Sequence, residues 1–408
     1  MLQSPTAPLR RFGFISFLIS ALLVLPLFAH AAADPGFEKW KQEFRKQALA
    51  EGITAETFDR AFKGIDSPDQ WVLDKASFQP EFKAPAWQYF DNRITKFAVK
   101  RGREKKQELQ PWLEKIEKKF GVNPNILLAI WSMESSFGAI LDNQNVMRSV
   151  VRSLATLAYA DPKRKKFGTN QLLAALKILQ SGDIDESHLT GSWAGAMGHT
   201  QFIPTSYQAY AVDMDGDGKR DIWNSVPDAL ATAASLLSKN GWRSGETWGY
   251  EVTIPERKLP AGKLTIAEWE KLGVKRVRGQ AFPRPDDVAE LKVPAGRGGP
   301  AFLVLKNFFV IKRYNNSDRY ALAVGILADQ IGGAEPLTRD WKRPFTKLDH
   351  DEVVELQTKL KEKGFYDGEV DGKAGGETRK AILKFEESAG VELQGFPSKE
   401  VLELLRKK

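Results

Sequence analysis

A single glutamate stands near the end of an otherwise apolar run, Ile126-Leu127-Leu128-Ala129-Ile130-Trp131-Ser132-Met133-Glu134-Ser135-Ser136-Phe137-Gly138. Asn123-Pro124 reads as an N-cap followed by a proline in the first helical position, and Gly138 as the C-terminal stop. A helix that is apolar nearly all round is a buried one. Glutamate is almost never fully buried without a partner. Desolvation and the negative end of the helix dipole both disfavour the charged carboxylate, so the sequence predicts a raised pKa for Glu134. Such a group can hold a proton near neutral pH, deliver it and take one back. On the residues alone, a structural glutamate paired with a distant arginine is an equally open reading.

A second segment bears on that choice: Gly191-Ser192-Trp193-Ala194-Gly195-Ala196-Met197-Gly198-His199-Thr200-Gln201-Phe202-Ile203-Pro204-Thr205-Ser206-Tyr207. Its small residues allow close backbone approach to another element or to a ligand. Ser192 and Gln201 are polar positions in a largely apolar stretch. The segment is either a tight packing turn or a substrate-lining loop facing Glu134. Ordinary glycosidases place two carboxylates about the scissile bond. Asp142, in a predicted loop, and Asp161, beside Pro162, are the other acids considered, and either could simply be solvated.

Asp213-Met214-Asp215-Gly216-Asp217-Gly218-Lys219-Arg220-Asp221-Ile222-Trp223-Asn224 matches the front of an EF-hand calcium loop, with glycine at the sixth position. The match fails at Arg220, where an aliphatic residue is usual, and at Asn224, where a bidentate glutamate is usual. A solvated turn is one reading. A divergent calcium site is the favoured one, because acids this dense otherwise repel one another. The basic run Lys163-Arg164-Lys165-Lys166 reads as a solvated face, with contact to substrate carboxylates as the functional alternative.

These residues need elements to hold them. Residues 34–110 read as charged-faced helices, followed by the Glu134 helix within 111–145. Helices are also expected at 150–160, 170–179 and 227–238. From Tyr250 the pattern changes: Tyr250-Glu251-Val252-Thr253-Ile254 alternates like a strand, and Phe302-Leu303-Val304-Leu305 and Phe308-Phe309-Val310-Ile311 read as buried strands or extended segments. A helix follows at Tyr320. Residues 336–347 form a polar, proline-containing linker. In 348–408, the amphipathic stretches 353–363 and 377–389 and a short helix capped by Ser398 suggest a separate three-helix module, with Asp367 and Asp371 as turn formers.

The chain has 408 residues and no cysteine. Arg10-Arg11, the apolar stretch from Phe12 to Phe28 and Ala29-His30-Ala31 read as a secretory signal peptide over residues 1–31. Without cysteine, lipoprotein anchoring, disulfides and cysteine proteolysis are excluded, and no stable membrane anchor is expected. Removing 1–31 takes away two arginines and no acid, leaving 58 basic against 52 acidic residues. That modest excess favours anionic polymers in general. The charges are mixed throughout, so nucleic acid is not indicated. Three histidines remain, His188, His199 and His350, too few for a usual zinc site.

The Ile130-to-Gly138 motif, the Ser192-to-Tyr207 stretch and Arg313-Tyr314-Asn315-Asn316-Ser317-Asp318-Arg319-Tyr320 together resemble the lytic murein transglycosylase B family over about residues 34–335. Leu236 departs from it, standing where an aromatic is usual. The resemblance implies an α+β, mainly α fold: a lysozyme-like helical catalytic domain with a small β-containing subregion at about 250–312. It implies that Glu134 is the sole catalytic acid and base, and that Ser192, Gln201, Tyr314, Asn315 and Tyr320 bind substrate. The implied reaction cleaves the MurNAc-GlcNAc bond of peptidoglycan glycan strands and closes a 1,6-anhydro ring. A structural calcium ion on Asp213, Asp215, Asp217, the Lys219 carbonyl and Asp228 is also implied; the signal peptide and the lack of cysteine point to a periplasmic location. Val354-Glu355-Leu356-Gln357, Gly364-Phe365-Tyr366, Asp371-Gly372 and Glu377-to-Phe385 resemble the peptidoglycan-binding domain 1 family, with Phe365, Ile382 and Phe385 as core.

Overall fold

The computed structural model describes residues 34–77, 85–391 and 394–407. The expected signal peptide, 1–31, lies outside them. The large unit is a packed set of helices, and its most buried member is the Pro124–Ser135 helix. Asn123 caps it as expected, its side chain accepting from the Asn125 amide at 2.9 Å. Leu127, Leu128, Ala129 and Ile130 are fully buried. Packed around this helix are Lys96–Glu108, Gln110–Phe120, Val226–Lys239 and Asp318–Ile331, and Ala86–Arg93 packs in turn on Asp318–Ile331. Leu236, the departure from the family pattern, is itself buried in the core.

Two short strands, β1 (Arg148–Ser149) and β2 (Thr190–Gly191), pair antiparallel and bring the Ser192 segment beside the Val150–Ala160 helix. The β-containing subregion is a five-stranded antiparallel sheet. Its strands are β3 (Gly249–Thr253), β4 (Lys263–Thr265), β5 (Lys275–Arg276), β6 (Val288–Lys292) and β7 (Ala301–Val304), in the order β4-β6-β7-β3-β5. One expectation fails here. Phe308-Phe309-Val310-Ile311 lies in a helix, Lys306–Tyr314. Phe308 and Ile311 are fully buried while Phe309 is only half-buried, which is helical spacing hidden inside a short apolar run.

The C-terminal unit has the three expected helices, His350–Glu362, Gly376–Ala389 and Lys399–Lys407. Leu356, Leu360, Ile382, Phe385 and Leu402 form its core. Phe365 is half-buried against Phe385 at 5.6 Å, whereas its neighbour Tyr366 is buried. Asp371 is a turn former as expected, its carboxylate accepting the Lys373 amide at 2.9 Å. Residues 336–347 differ from a free polar connector. Trp341 is buried and stacks on Phe90 at 4.0 Å, and Arg343 pairs with Asp91 at 2.7 Å. The segment is a strap bound to both units.

Candidate active site

Glu134 occupies the last turn of its helix and is half-buried. The Tyr320 hydroxyl donates to Glu134 Oε1 at 2.6 Å. Tyr320 is buried, and it stacks on Tyr314 with 6.4 Å between ring centroids and 8° between planes. Burial, with the nearby Glu134 carboxylate adding to it, pushes both phenols well above their usual range. Both therefore stay protonated and serve as hydrogen-bond donors. Tyr314 donates a hydrogen bond to the Thr200 carbonyl and packs edge-on against Phe202 at 5.4 Å.

The helix does not run on to Gly138. It ends at Ser135, and Ser136, Phe137 and Gly138 all take positive φ, at 52°, 59° and 88°. Gln201 does the same at 51°. Three of the four non-glycine residues with positive φ among those described thus lie at this site. Each costs of order 1 kcal/mol or more and persists only where surrounding contacts enforce it. Those contacts are visible. The Ser135 hydroxyl donates to the His199 carbonyl at 2.6 Å and accepts from the Gly138 amide at 3.0 Å. The Trp131 indole donates to His199 Nδ1 at 3.1 Å. A Cβ on Gly138 would lie 2.6 Å from the His199 ring, so only glycine admits that imidazole.

His199 is thus a brace between the loop and the Glu134 helix. Burial pushes its pKa down to about 4. It is neutral at ordinary pH and carries its ring proton on Nε2.

The loop is itself knitted: Met197 bridges to both Gly191 and Phe202. The Ser192 hydroxyl accepts from the Ala194 and Ala196 amides at 3.3 and 3.1 Å. The Gln201 side chain donates back to the Gly198 carbonyl at 2.8 Å. Asn315 is exposed just past the end of its helix. Glu134, Tyr320, Tyr314 and the 199–202 segment are therefore joined by direct contacts. Ser192 lies on the same loop with its hydroxyl engaged in a turn.

Asp161 is occupied in its own turn, accepting from the Lys163 and Arg164 amides and pairing with the Arg164 guanidinium at 2.8 Å. Arg164 lies over the Trp193 ring at 5.4 Å. Asp142 is exposed in the loop after the helix.

Two contributors had no local signal. Arg93 donates from the Ala86–Arg93 helix to the Met133 carbonyl at 3.2 Å, supplying a cation at the negative end of the Glu134 helix. Its partner lies 40 residues away in sequence. His199 was visible only as one more residue of the glycine-rich loop.

In the acidic loop, carboxylate oxygens of Asp213, Asp215 and Asp217 lie within 4.8 Å of one another. Both Asp213 oxygens accept loop amides, from Gly216 at 2.7 Å and Gly218 at 3.0 Å. Each carboxylate oxygen keeps a second lone pair, so the set fits a hard cation. Asp228 is fully buried at the start of the next helix, and burial raises its pKa. Its two oxygens accept the Met214 and Asp221 amides at 2.7 and 2.9 Å, so here it shapes the loop from inside. Arg220 turns away from the cluster to Asp183. The Ile222 carbonyl accepts the His199 amide at 2.9 Å, which ties the acidic loop to the brace on Glu134's helix.

The fold is that of a lysozyme-like enzyme of the lytic transglycosylase class. The Transglycosylase SLT domain family matches residues 36–329, and a peptidoglycan binding domain family matches residues 349–405. The chain belongs to the SLT-domain transglycosylases. It is 29% identical over 304 residues to the membrane-bound lytic murein transglycosylase B of Escherichia coli K12, covering 73% of this chain and 80% of that protein. SltB3 of Pseudomonas aeruginosa, solved with NAG-NAM-pentapeptide, superposes with a TM-score of 0.72 at 44% identity, over 91% of this chain and all of that one. Escherichia coli Slt35, solved in complex with calcium, gives a TM-score of 0.61 at 26% identity, over 73% of this chain and 93% of that one. Among the described residues, no helix is long and apolar enough to cross a membrane.

Proposed function

We propose that this enzyme cleaves the β-1,4 bond between N-acetylmuramic acid and N-acetylglucosamine in peptidoglycan strands, leaving 1,6-anhydro ends. The observation that carries this is the Glu134 carboxyl, held by the buried Tyr320 hydroxyl at the strained end of a buried helix. Glu134 gives its proton to the glycosidic oxygen as the bond to C1 breaks. The N-acetyl carbonyl of the substrate stabilises the cationic C1. The Glu134 carboxylate then takes the proton of the C6 hydroxyl, whose oxygen attacks C1 and closes the ring. The proton returns to Glu134, and no activated water is required. Tyr320 fixes one carboxyl oxygen through both steps.

Ser192, Gln201, Tyr314 and Asn315 would line the saccharide path; Tyr320, expected among them, is buried with its hydroxyl on Glu134 and would serve the carboxyl instead. A calcium ion on Asp213, Asp215 and Asp217, with the Lys219 carbonyl and Asp228 completing the loop, would stiffen the cleft through Ile222 and His199. The arginine-led apolar segment of residues 10–31 and a wall substrate support a periplasmic location.

The test is mass analysis of muropeptides released from purified sacculi. Ends lighter by one water than reducing ends are expected. Reducing ends alone would replace this reading with a hydrolase, and no release would replace it with a wall-binding scaffold.

A further inference from the structure

The Ala86–Arg93 helix faces two ways. Trp87, Phe90 and Asp91 stand at i, i+3 and i+4, on one side of it. Phe90 carries the Trp341 ring of the strap, and Asp91 carries Arg343. Trp87 meets Phe345 of the strap at 5.1 Å and Phe396 of the C-terminal module at 5.0 Å. Phe345 and Phe396 stack on each other at 5.0 Å, and Arg379 of the module covers Phe396 at 5.3 Å. On the other side, Tyr89 lies within electrostatic reach of Tyr320, and Arg93 donates to the Met133 carbonyl. That carbonyl is among the last four of the catalytic helix, which have no partner inside it. A helix of eight residues is too short to hold its shape unaided, so its tertiary grip sets where Arg93 sits.

With Glu134 read as acid and base, we infer that Arg93 is a positioning residue for the Glu134 end of the catalytic helix, and that the C-terminal module holds Arg93 in place by seating Phe396 against Trp87. The module then takes part in turnover and is more than a tether to the wall. Binding strain on the module would reach the Glu134 carboxyl through the body of the Ala86–Arg93 helix, from the Phe396–Trp87 contact at one side to the Arg93–Met133 hydrogen bond at the other.

The experiment uses the full-length chain and a soluble GlcNAc-MurNAc tetrasaccharide. Phe396→Ala, Arg343→Gln and Arg93→Met are each expected to lower kcat roughly tenfold with KM changed by less than about twofold. Phe396→Leu, which keeps apolar bulk, should recover most of the rate, and pelleting with sacculi should be unchanged by Arg343→Gln. The Phe396→Ala/Arg93→Met double variant should be no slower than the worse single variant, because both act through the same short helix. Wild-type kcat in both Phe396→Ala and Arg343→Gln, or additive losses in the double variant, would overturn the inference. Should Phe396→Ala fail to fold, as judged by circular dichroism, Arg343→Gln with Arg93→Met carries the same cycle. Absence of anhydro product from the wild-type chain would instead defeat the reading of Glu134, and this inference with it.

Discussion

A phenol is what Glu134 meets at the end of its helix. The Tyr320 hydroxyl is buried and stays protonated, so it donates to the carboxyl at every working pH. Hydrogen bonds to charged groups contribute about 1.5–3 kcal/mol. Tyr320→Phe is therefore expected to lower kcat by roughly 10- to 100-fold while the melting temperature moves little. Steady-state kinetics beside thermal melts would check this, and an unchanged kcat would remove Tyr320 from the machinery. Glu134→Gln should lower release of anhydro-ended fragments by about a thousandfold or more, with sacculus binding retained. His199 gives a pH signature. Its folded pKa, about 4, lies below the usual 6.5, so the unfolded chain binds the extra proton first. Its contribution is intact above about pH 6.5 and falls as pH drops toward 4, by up to about 3 kcal/mol. His199→Asn should flatten the melting temperature across that window; an equally steep loss in the variant would show that other groups carry it.

The loop from Ser192 to Phe202 depends on glycines where other backbone fills the space. A Cβ on Gly198 would overlap the Ile222 carbonyl, and the residue has a φ of 65°. Gly198→Ala is expected to cost about 2 kcal/mol or more and to reduce activity with it, because His199 follows directly. Chemical denaturation would read the first effect. For the acidic loop, calcium at a hundred times its Kd should add about 2.7 kcal/mol of stability to the wild-type chain and none to Asp213→Ala/Asp217→Ala. A melting temperature indifferent to calcium would leave Asp213, Asp215 and Asp217 as a solvated turn. Element type was legible wherever the pattern was long, as in the capped Pro124–Ser135 helix. It failed at Phe308–Ile311, because four apolar residues cannot distinguish a buried strand from one turn of a buried helix.

Across the whole molecule, the strap packs on both sequence domains. Trp341 is 7% exposed and stacked on Phe90. Removing a buried tryptophan side chain costs about 3–5 kcal/mol, so Trp341→Ala should lower the stability of the catalytic unit by about that amount. Calorimetry should show both units of the wild-type chain unfolding in one transition. Two well-separated transitions would mean that the strap does not couple them. Composition described residues 336–347 as polar. It could not show that Trp341, Arg343 and Phe345 each have a partner some 250 residues earlier in the chain.

The sequence alone determined the helix that carries Glu134, because an apolar run with an N-cap and a first-turn proline allows few other arrangements; on the residues alone it left the carboxyl's role open between catalysis and a structural pair. It likewise determined the glycine-rich loop, the acidic loop and the separate three-helix module, each written in adjacent residues. Tertiary structure decided what no local pattern contains: the Tyr320 phenol on Glu134, the His199 brace, the Arg93 cation at the helix end and the strap that joins the units. Those contacts link residues 40 to 258 positions apart, and only the folded chain brings them together.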